Sequence, residues 1–266
     1  MLIAIDAGHG HNTAGKRCPD DSMREHDFNG NVATKVCEIL NRSGIETYRS
    51  DDVTGNIDVP LMTRTNEINA RNANYCISIH ANANTGNWNS ANGIETYIIA
   101  RGGKAEKIAN IVQAKLIDYT GRQNRGVKVK NLHMCRETKM PAILCECGFM
   151  DNREEAELLK SENYRQICAN AIADGILEYL GISKKDLKYK SHLQDIGWTD
   201  FVNEGEVTGT TGESRRLEAI PIEATDLQYR VHLQDIGWTD WYNAGEIAGT
   251  TLGMTDKQEL INLLNA

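Results

Sequence analysis

Two histidines and two glutamates stand where strands or a helix start would deliver them to one place: His9, Glu25, His80 and Glu146. Imidazole nitrogen and carboxylate oxygen together suit zinc, and a catalytic zinc keeps three protein donors and leaves a fourth position to water. His9, Glu25 and His80 are therefore the expected Zn2+ ligands, and Glu146 is the expected base for the water. Either histidine alone reads as an ordinary loop residue. The pair, each at the carboxyl end of an apolar run, points to a metal. Glu146 ends the run Ala142-Ile143-Leu144-Cys145, so it must either open onto a cleft or be paired, with Arg136 as the candidate partner. Cys145 and Cys147 beside it read as core thiols rather than metal ligands.

The elements that must position these groups are legible around them. Leu2-Ile3-Ala4-Ile5 reads as a strand feeding Asp6-Ala7-Gly8-His9-Gly10, where the glycines permit a sharp turn and close approach. Phe28, Val32, Val36, Ile39 and Leu40 recur at helical spacing behind Glu25, and Gly44 ends that helix. Tyr75–Asn82 reads as a largely buried strand carrying His80. Thr47-Tyr48 and residues 93–99 add strands, and residues 60–68, 108–116 and 163–181 add helices. Strands alternating with helices predict an α/β fold: an open, mostly parallel sheet flanked by helices on both faces, followed by a small β-rich repeat module.

Charge divides the 266 residues unevenly. Residues 1–185 hold 23 Lys+Arg against 23 Asp+Glu, and residues 186–266 hold 6 against 14, so the whole net charge of −8 lies in the last third. An acidic tail argues against nucleic acid, and against any polyanion held by simple attraction. No apolar run is long enough for membrane insertion. The seven cysteines all precede residue 169, and their odd number predicts reduced thiols rather than a disulfide framework. Met1 leads directly into a strand, so synthesis in the cytoplasm without a signal peptide is expected, with action elsewhere only after release.

From Tyr189 the chain repeats itself. Residues 189–211 and 229–251 are identical at sixteen of twenty-three positions, at a period of 40. The expected division is a catalytic domain over 1–182, a linker over 183–188, and a module over 189–266 made of two units, 189–228 and 229–266. Trp198 and Trp238 occupy equivalent places and are expected in its core. Trp241 and Tyr242, which replace Phe201 and Val202, would suit a face for sugar rings.

Three stretches resemble the zinc-dependent N-acetylmuramoyl-L-alanine amidases of bacteria and their phages: Ile5-Asp6-Ala7-Gly8-His9-Gly10, Ile77-Ser78-Ile79-His80-Ala81-Asn82 and Pro141–Phe149 with Asn152. Leu61-x-x-Arg64 adds to the likeness. The resemblance covers residues 1 to about 180 and implies His9, Glu25 and His80 as zinc ligands and Glu146 as the catalytic glutamate; Glu38 and Glu46 compete for the place of Glu25. The tail resembles clostridial hydrophobic Trp-containing repeats, around Gly197-Trp198 and Gly237-Trp238, which implies binding to peptidoglycan and an associated wall polymer. A clostridial phage endolysin is the expected source, with a host autolysin, a stem-peptide zinc endopeptidase and a non-enzymatic wall-binding protein as alternatives.

Overall fold

In the computed structural model, the described residues are 1–182, 187–203, 206–224, 227–233 and 236–249, with the backbone of 258–265. Two compact units, Met1–Lys184 and Lys185–Ala266, divide the chain. Residues 183–186 of the expected linker, and residues 250–257 of the second repeat, lie outside the described residues.

The first unit runs β1 (Leu2–Ala7), α1 (Glu25–Arg42), β2 (Glu46–Arg49), α2 (Leu61–Ala70), β3 (Tyr75–Asn82), β4 (Ile94–Ile98), α3 (Lys104–Thr120), β5 (Asn124–Val129), α4 (His133–Glu137), β6 (Ala142–Phe149), α5 (Arg153–Lys160) and α6 (Glu162–Leu180). The strands form one sheet in the order β2-β1-β3-β6-β4-β5. Pairing is parallel except between β4 and β6. This is the mostly parallel α/β sheet expected from the sequence.

Side chains on a strand alternate between faces, and here the alternation separates core from chemistry. Ile3, Ile5, Ile77, Ile79, Ile143, Cys145 and Cys147 point to one face, in a core with Phe28, Val32 and Val36 of α1, Ile108 and Val112 of α3, and Ile172 and Ile176 of α6. Cys145 and Cys147, two residues apart and so on the same side of β6, are both fully buried there. Ala4, Cys76 and Ala142 point to the other face, against Ile68 of α2 and Met134 of α4. The next residues on that second face are Asp6, Ser78, His80 and Glu146. They lie toward the carboxyl ends of the strands, where a parallel sheet opens its ligand crevice.

Three elements escaped the sequence reading. β5 carries Arg125 and Lys128 with only two apolar residues, Val127 and Val129, at the sheet edge, α4 is one turn, and α5 carries three glutamates on a strongly amphipathic helix. Asn152 starts α5, its side chain accepting from the amides of Glu154 and Glu155.

In the second unit the strands are short: β7 (Lys188–Tyr189), β8 (His192–Leu193), β9 (Gly197–Trp198), β10 (Val202–Asn203), β11 (Leu217–Glu223), β12 (Leu227–Leu233), β13 (Gly237–Trp238), β14 (Tyr242–Asn243), β15 (Ile247–Gly249) and β16 (Gln258–Asn265). The two repeats share one core, in which Ile220, Ile222 and Leu227 of the first meet Tyr229, Val231 and Ala248 of the second, and β11 pairs with β15. The expectation that Trp198 and Trp238 fill this core is corrected: they are 37% and 41% exposed. The pleat explains why. Each is the cross-strand partner of a histidine, His192 or His232, on the outward side, while Tyr229 and Val231 take the inward positions. No helix among the described residues is long and apolar enough to cross a membrane.

Candidate active site

Gly8 leaves β1 with its amide bonded to the Ile79 carbonyl at 3.0 Å, so the turn carrying His9 lies directly against β3. A Cβ on Gly8 would sit 2.0 Å from Cε1 of His80. The glycine is therefore required by the histidine ring, whereas the left-handed backbone falls on His9 itself, at φ 64°. That conformation is uncommon for a residue with a side chain and needs support. It comes through the His9 carbonyl, which accepts from Nδ1 of His26 and from Nη2 of Arg64, each at 3.0 Å.

Glu25 is the first residue of α1 and is buried. Its Oε1 accepts from His80 Nδ1 at 2.9 Å, Asn29 Nδ2 at 3.2 Å and the Ala81 amide at 3.3 Å. Its Oε2 is buried without a hydrogen-bond partner, 3.5 Å from His9 Nε2 and 3.7 Å from the exposed Lys16 amine. The rings of His9 and His80 stand edge to face, with centroids 5.2 Å apart. One donor atom from each of His9, Glu25 and His80 lies within 4.8 Å of the other two. Ligands about 2.1 Å from a tetrahedral ion stand roughly 3.4 Å apart, so small side-chain adjustments close the set around zinc. The orphaned Oε2 is the observation that fits the ion, since a buried carboxylate oxygen without a partner is costly. Glu38 and Glu46, the competitors for this position, are both exposed elsewhere.

Electrostatics prepares the donors. Burial pushes the His9 imidazole down to about 4, against the pull of Glu25, so it offers a free lone pair at neutral pH. Burial alone would raise Glu25, but the His80 hydrogen bond and the neighbouring positive charges hold it at about 2. Burial likewise acts to lower His80, and the Glu25 contact outweighs it, for a net rise.

Glu146 lies beside His80 in the β3–β6 register. Burial is the main cause that lifts its carboxyl to about 7, with the His80 charge opposing and Glu25 reinforcing. Oε2 of Glu146 has no hydrogen-bond partner. Arg136 bonds Glu137 at 2.6 Å and Asn131 at 2.7 Å, so the salt bridge considered for Glu146 is not made.

A further carboxylate was not singled out from the sequence. The antiparallel β4 sets Glu95 opposite Glu146, and Glu95 is ligated by Asn82 at 2.9 Å, Arg125 at 2.7 Å, Tyr97 and Lys128. A lone glutamate inside Ile94-Glu95-Thr96-Tyr97-Ile98 was the available signal. Burial would raise Glu95, but these donors hold it at about 2, below its ordinary 4.5. A carboxyl depressed on folding adds stability above its unfolded pKa that is lost as pH falls through its folded value. Glu95→Gln should therefore lose roughly 1–3 kcal/mol at neutral pH, with Lys128 and Arg125 part-exposed, and its deficit should shrink between pH 5 and 2. Thermal melts across that range test it; a deficit independent of pH would mean the charge is not what matters.

Gly8→Ala isolates the packing requirement. The added methyl forces the His80 ring aside, so zinc retained after dialysis should drop below one per chain and hydrolysis by roughly 100-fold. Elemental analysis with a rate assay checks both; full zinc at parental activity would contradict the contact.

Two imidazoles and a buried carboxylate converging at the open edge of a parallel sheet, beside a raised glutamate, define a zinc hydrolase. The sequence profile described as N-acetylmuramoyl-L-alanine amidase matches residues 3–178, and the chain belongs to that family. Clostridial hydrophobic W repeats match residues 192–226 and 232–251. The chain is 32% identical to the endolysin of Bacillus phage SPP1, over 69% of this chain and 68% of that one. It is 34% identical to the amidase LytC of Bacillus subtilis over 66% of this chain, spanning 35% of that longer protein. The catalytic domain of CwlV, an N-acetylmuramoyl-L-alanine amidase from Bacillus (Paenibacillus) polymyxa var. colistinus, superposes with a TM-score of 0.63 at 34% identity, covering 68% of this chain and 99% of that domain.

Proposed function

We propose that the chain is a clostridial phage endolysin in which residues 1–182 cut the amide between the lactyl group of N-acetylmuramic acid and L-alanine, and residues 189–266, joined through 183–188, hold it on the wall. His9, Glu25 and His80 are the zinc ligands and Glu146 the general base. The observation that carries this reading is Glu146: a carboxyl near 7 with an unpartnered oxygen, directly across the β3–β6 pairing from His80 of the cluster.

When bound, zinc supplies a Lewis acid for the amide carbonyl and acidifies water. The protein supplies the rest. His9 enters uncharged and loses no proton on ligation. Asn29 and the Ala81 amide fix Glu25 Oε1 so that Oε2 is presented to the ion. Glu146, with a pKa close to the working pH, takes a proton from the attacking water and returns it to the leaving L-alanine nitrogen. Mass spectrometry of digested wall tests the bond: stem peptides with a free N-terminal L-alanine are expected, and cleavage confined to bonds between stem residues would replace this reading with an endopeptidase.

All seven thiols are free, which supports storage in a reducing cytoplasm until the membrane is breached, as for an endolysin rather than an autolysin. Cells producing the protein should stay intact until the membrane is permeabilised. Spontaneous lysis of intact producers would favour export and the autolysin reading.

The repeats raise local concentration on an insoluble substrate. A chain ending at Lys185 should cut soluble muropeptide at the parental rate yet sediment with walls roughly 10- to 100-fold less; equal retention would remove this role.

A further inference from the structure

The second unit exposes aromatic rings that its core does not use. In the first repeat, Nζ of Lys190 lies 5.0 Å from the ring centre of Trp198 and 4.7 Å from that of Phe201. In the second, the guanidinium of Arg230 lies 4.7 Å from both Trp238 and Trp241. His192 stands edge to face on Trp198 at 5.0 Å and His232 on Trp238 at 5.3 Å. The same turn supports each tryptophan: Thr199 N bonds Ser191 O at 2.8 Å, and Thr239 N bonds Val231 O at 2.9 Å.

Between the repeats Lys has become Arg and Phe has become Trp, yet two rings still meet about one cation beside one histidine. Stability does not require this, because the rings are 36–41% exposed while Ile220, Ile222, Tyr229 and Val231 form the core. Large aromatics left on the surface in a repeated arrangement mark a binding face. Flat apolar rings beside a hydrogen-bond donor match a pyranose, which has an apolar face of C–H groups and a rim of hydroxyl and amide oxygens. Charge selects among wall components. With 14 acidic against 6 basic residues in 186–266, this region repels polyanions, so an uncharged glycan ring is favoured over a phosphate-rich polymer.

We infer that Trp198–Phe201 about Lys190 and Trp238–Trp241 about Arg230 are two equivalent glycan subsites, each stacking a pyranose ring of the peptidoglycan strand. This rests on the tethering role of the repeats proposed above. The cation orients the ring it adjoins and donates to sugar oxygens, and two weak subsites on one core give useful retention by acting together.

The test uses the full chain. Trp198→Ala/Trp238→Ala and, separately, Phe201→Ala/Trp241→Ala are cosedimented on ice with walls before and after hydrofluoric acid extraction, which removes phosphodiester-linked polymers. Far-UV circular dichroism monitors folding, and soluble muropeptide is the activity control. Both pairs should reduce retention about tenfold or more on both wall preparations, with muropeptide cleavage unchanged. Parental retention by either folded pair overturns the assignment of its rings. Loss of parental binding on extracted walls overturns the glycan as occupant in favour of the phosphate polymer, leaving tethering intact. Equal retention of the chain ending at Lys185 overturns tethering and these subsites together.

Discussion

Glu146→Gln is expected to lower amidase turnover by about 10²–10⁴-fold, roughly 3–5 kcal/mol in the barrier, while zinc content and melting temperature stay at or above parental values. Gln has nearly the shape of Glu but takes no proton at neutral pH. Burial is the main cause that raises the Glu146 carboxyl to about 7, and Oε2 has no hydrogen-bond partner, so the fold tolerates the ionised form poorly. Removing the charge therefore relieves the folded protein, and lost activity cannot be assigned to unfolding. The same variant separates Glu146 from Glu95, its partner on β4, which four donors hold ionised. Two carboxylates on adjacent strands are driven apart in pKa, one toward proton transfer and one toward permanent charge. Zinc analysis, thermal melting and release of L-alanine-terminated peptides check the expectation. Parental rates in the variant would leave the base unassigned, and lost zinc would make Glu146 a ligand.

The main features of this site were readable because strand periodicity places both core and chemistry. Ile77-Ser78-Ile79-His80 alternates, and so does Ile143-Leu144-Cys145-Glu146 at its end: the odd residues enter the α1–α3–α6 core and His80 and Glu146 face the crevice. The first of these runs reads as a largely buried strand and is one; what the sequence does not reveal is that Ser78 is buried against Asp6, to which it donates at 2.6 Å, on the face that carries His80. Glu95 was passed over for a related reason. Its partners Arg125 and Lys128 come from β5, an edge strand with too few apolar residues to be recognised, so nothing local signalled that the charge was paired. Gly8 and Gly10 announce a sharp turn, but the left-handed residue in it is His9, which the local sequence does not signal because the cause is distant: the side chains of His26 and Arg64 hold the His9 carbonyl. In the tail, repetition was obvious, but no period distinguishes an aromatic core from an aromatic surface in two-residue strands. The equivalent places of Trp198 and Trp238 therefore point inward on sequence alone, where the structure has them outside.

Arg64→Met should destabilise the first unit by about 3–5 kcal/mol, a drop of roughly 10 °C in melting temperature, and should also weaken zinc retention. Arg64 is 1% exposed and ties together the start of the site. Its Nη1 donates to Asp6 Oδ1 at 2.8 Å and to the Ala7 carbonyl at 2.5 Å, its Nη2 to the His9 carbonyl at 3.0 Å and to Asp58 at 3.1 Å, and its Nε to the Val59 carbonyl at 2.8 Å. Asp6, equally buried, also accepts from Ser50 at 2.8 Å and Ser78 at 2.6 Å, and these contacts with Arg64 outweigh burial to keep its carboxyl below the ordinary value. Methionine fills much of the volume but strands Asp6 as an uncompensated buried charge, which is the larger part of the expected loss. The pair should therefore be strongly non-additive: Asp6→Asn in the Arg64→Met background should recover a substantial part of the stability, since no lone charge remains. Zinc should not recover with it, because the His9 carbonyl still lacks one of its two donors. Chemical denaturation of the parent, the two single variants and the double variant, with zinc content measured on each, separates the two effects. Additive losses would show that Arg64 and Asp6 act independently, and full zinc in Arg64→Met would show that His26 alone suffices to hold the His9 turn.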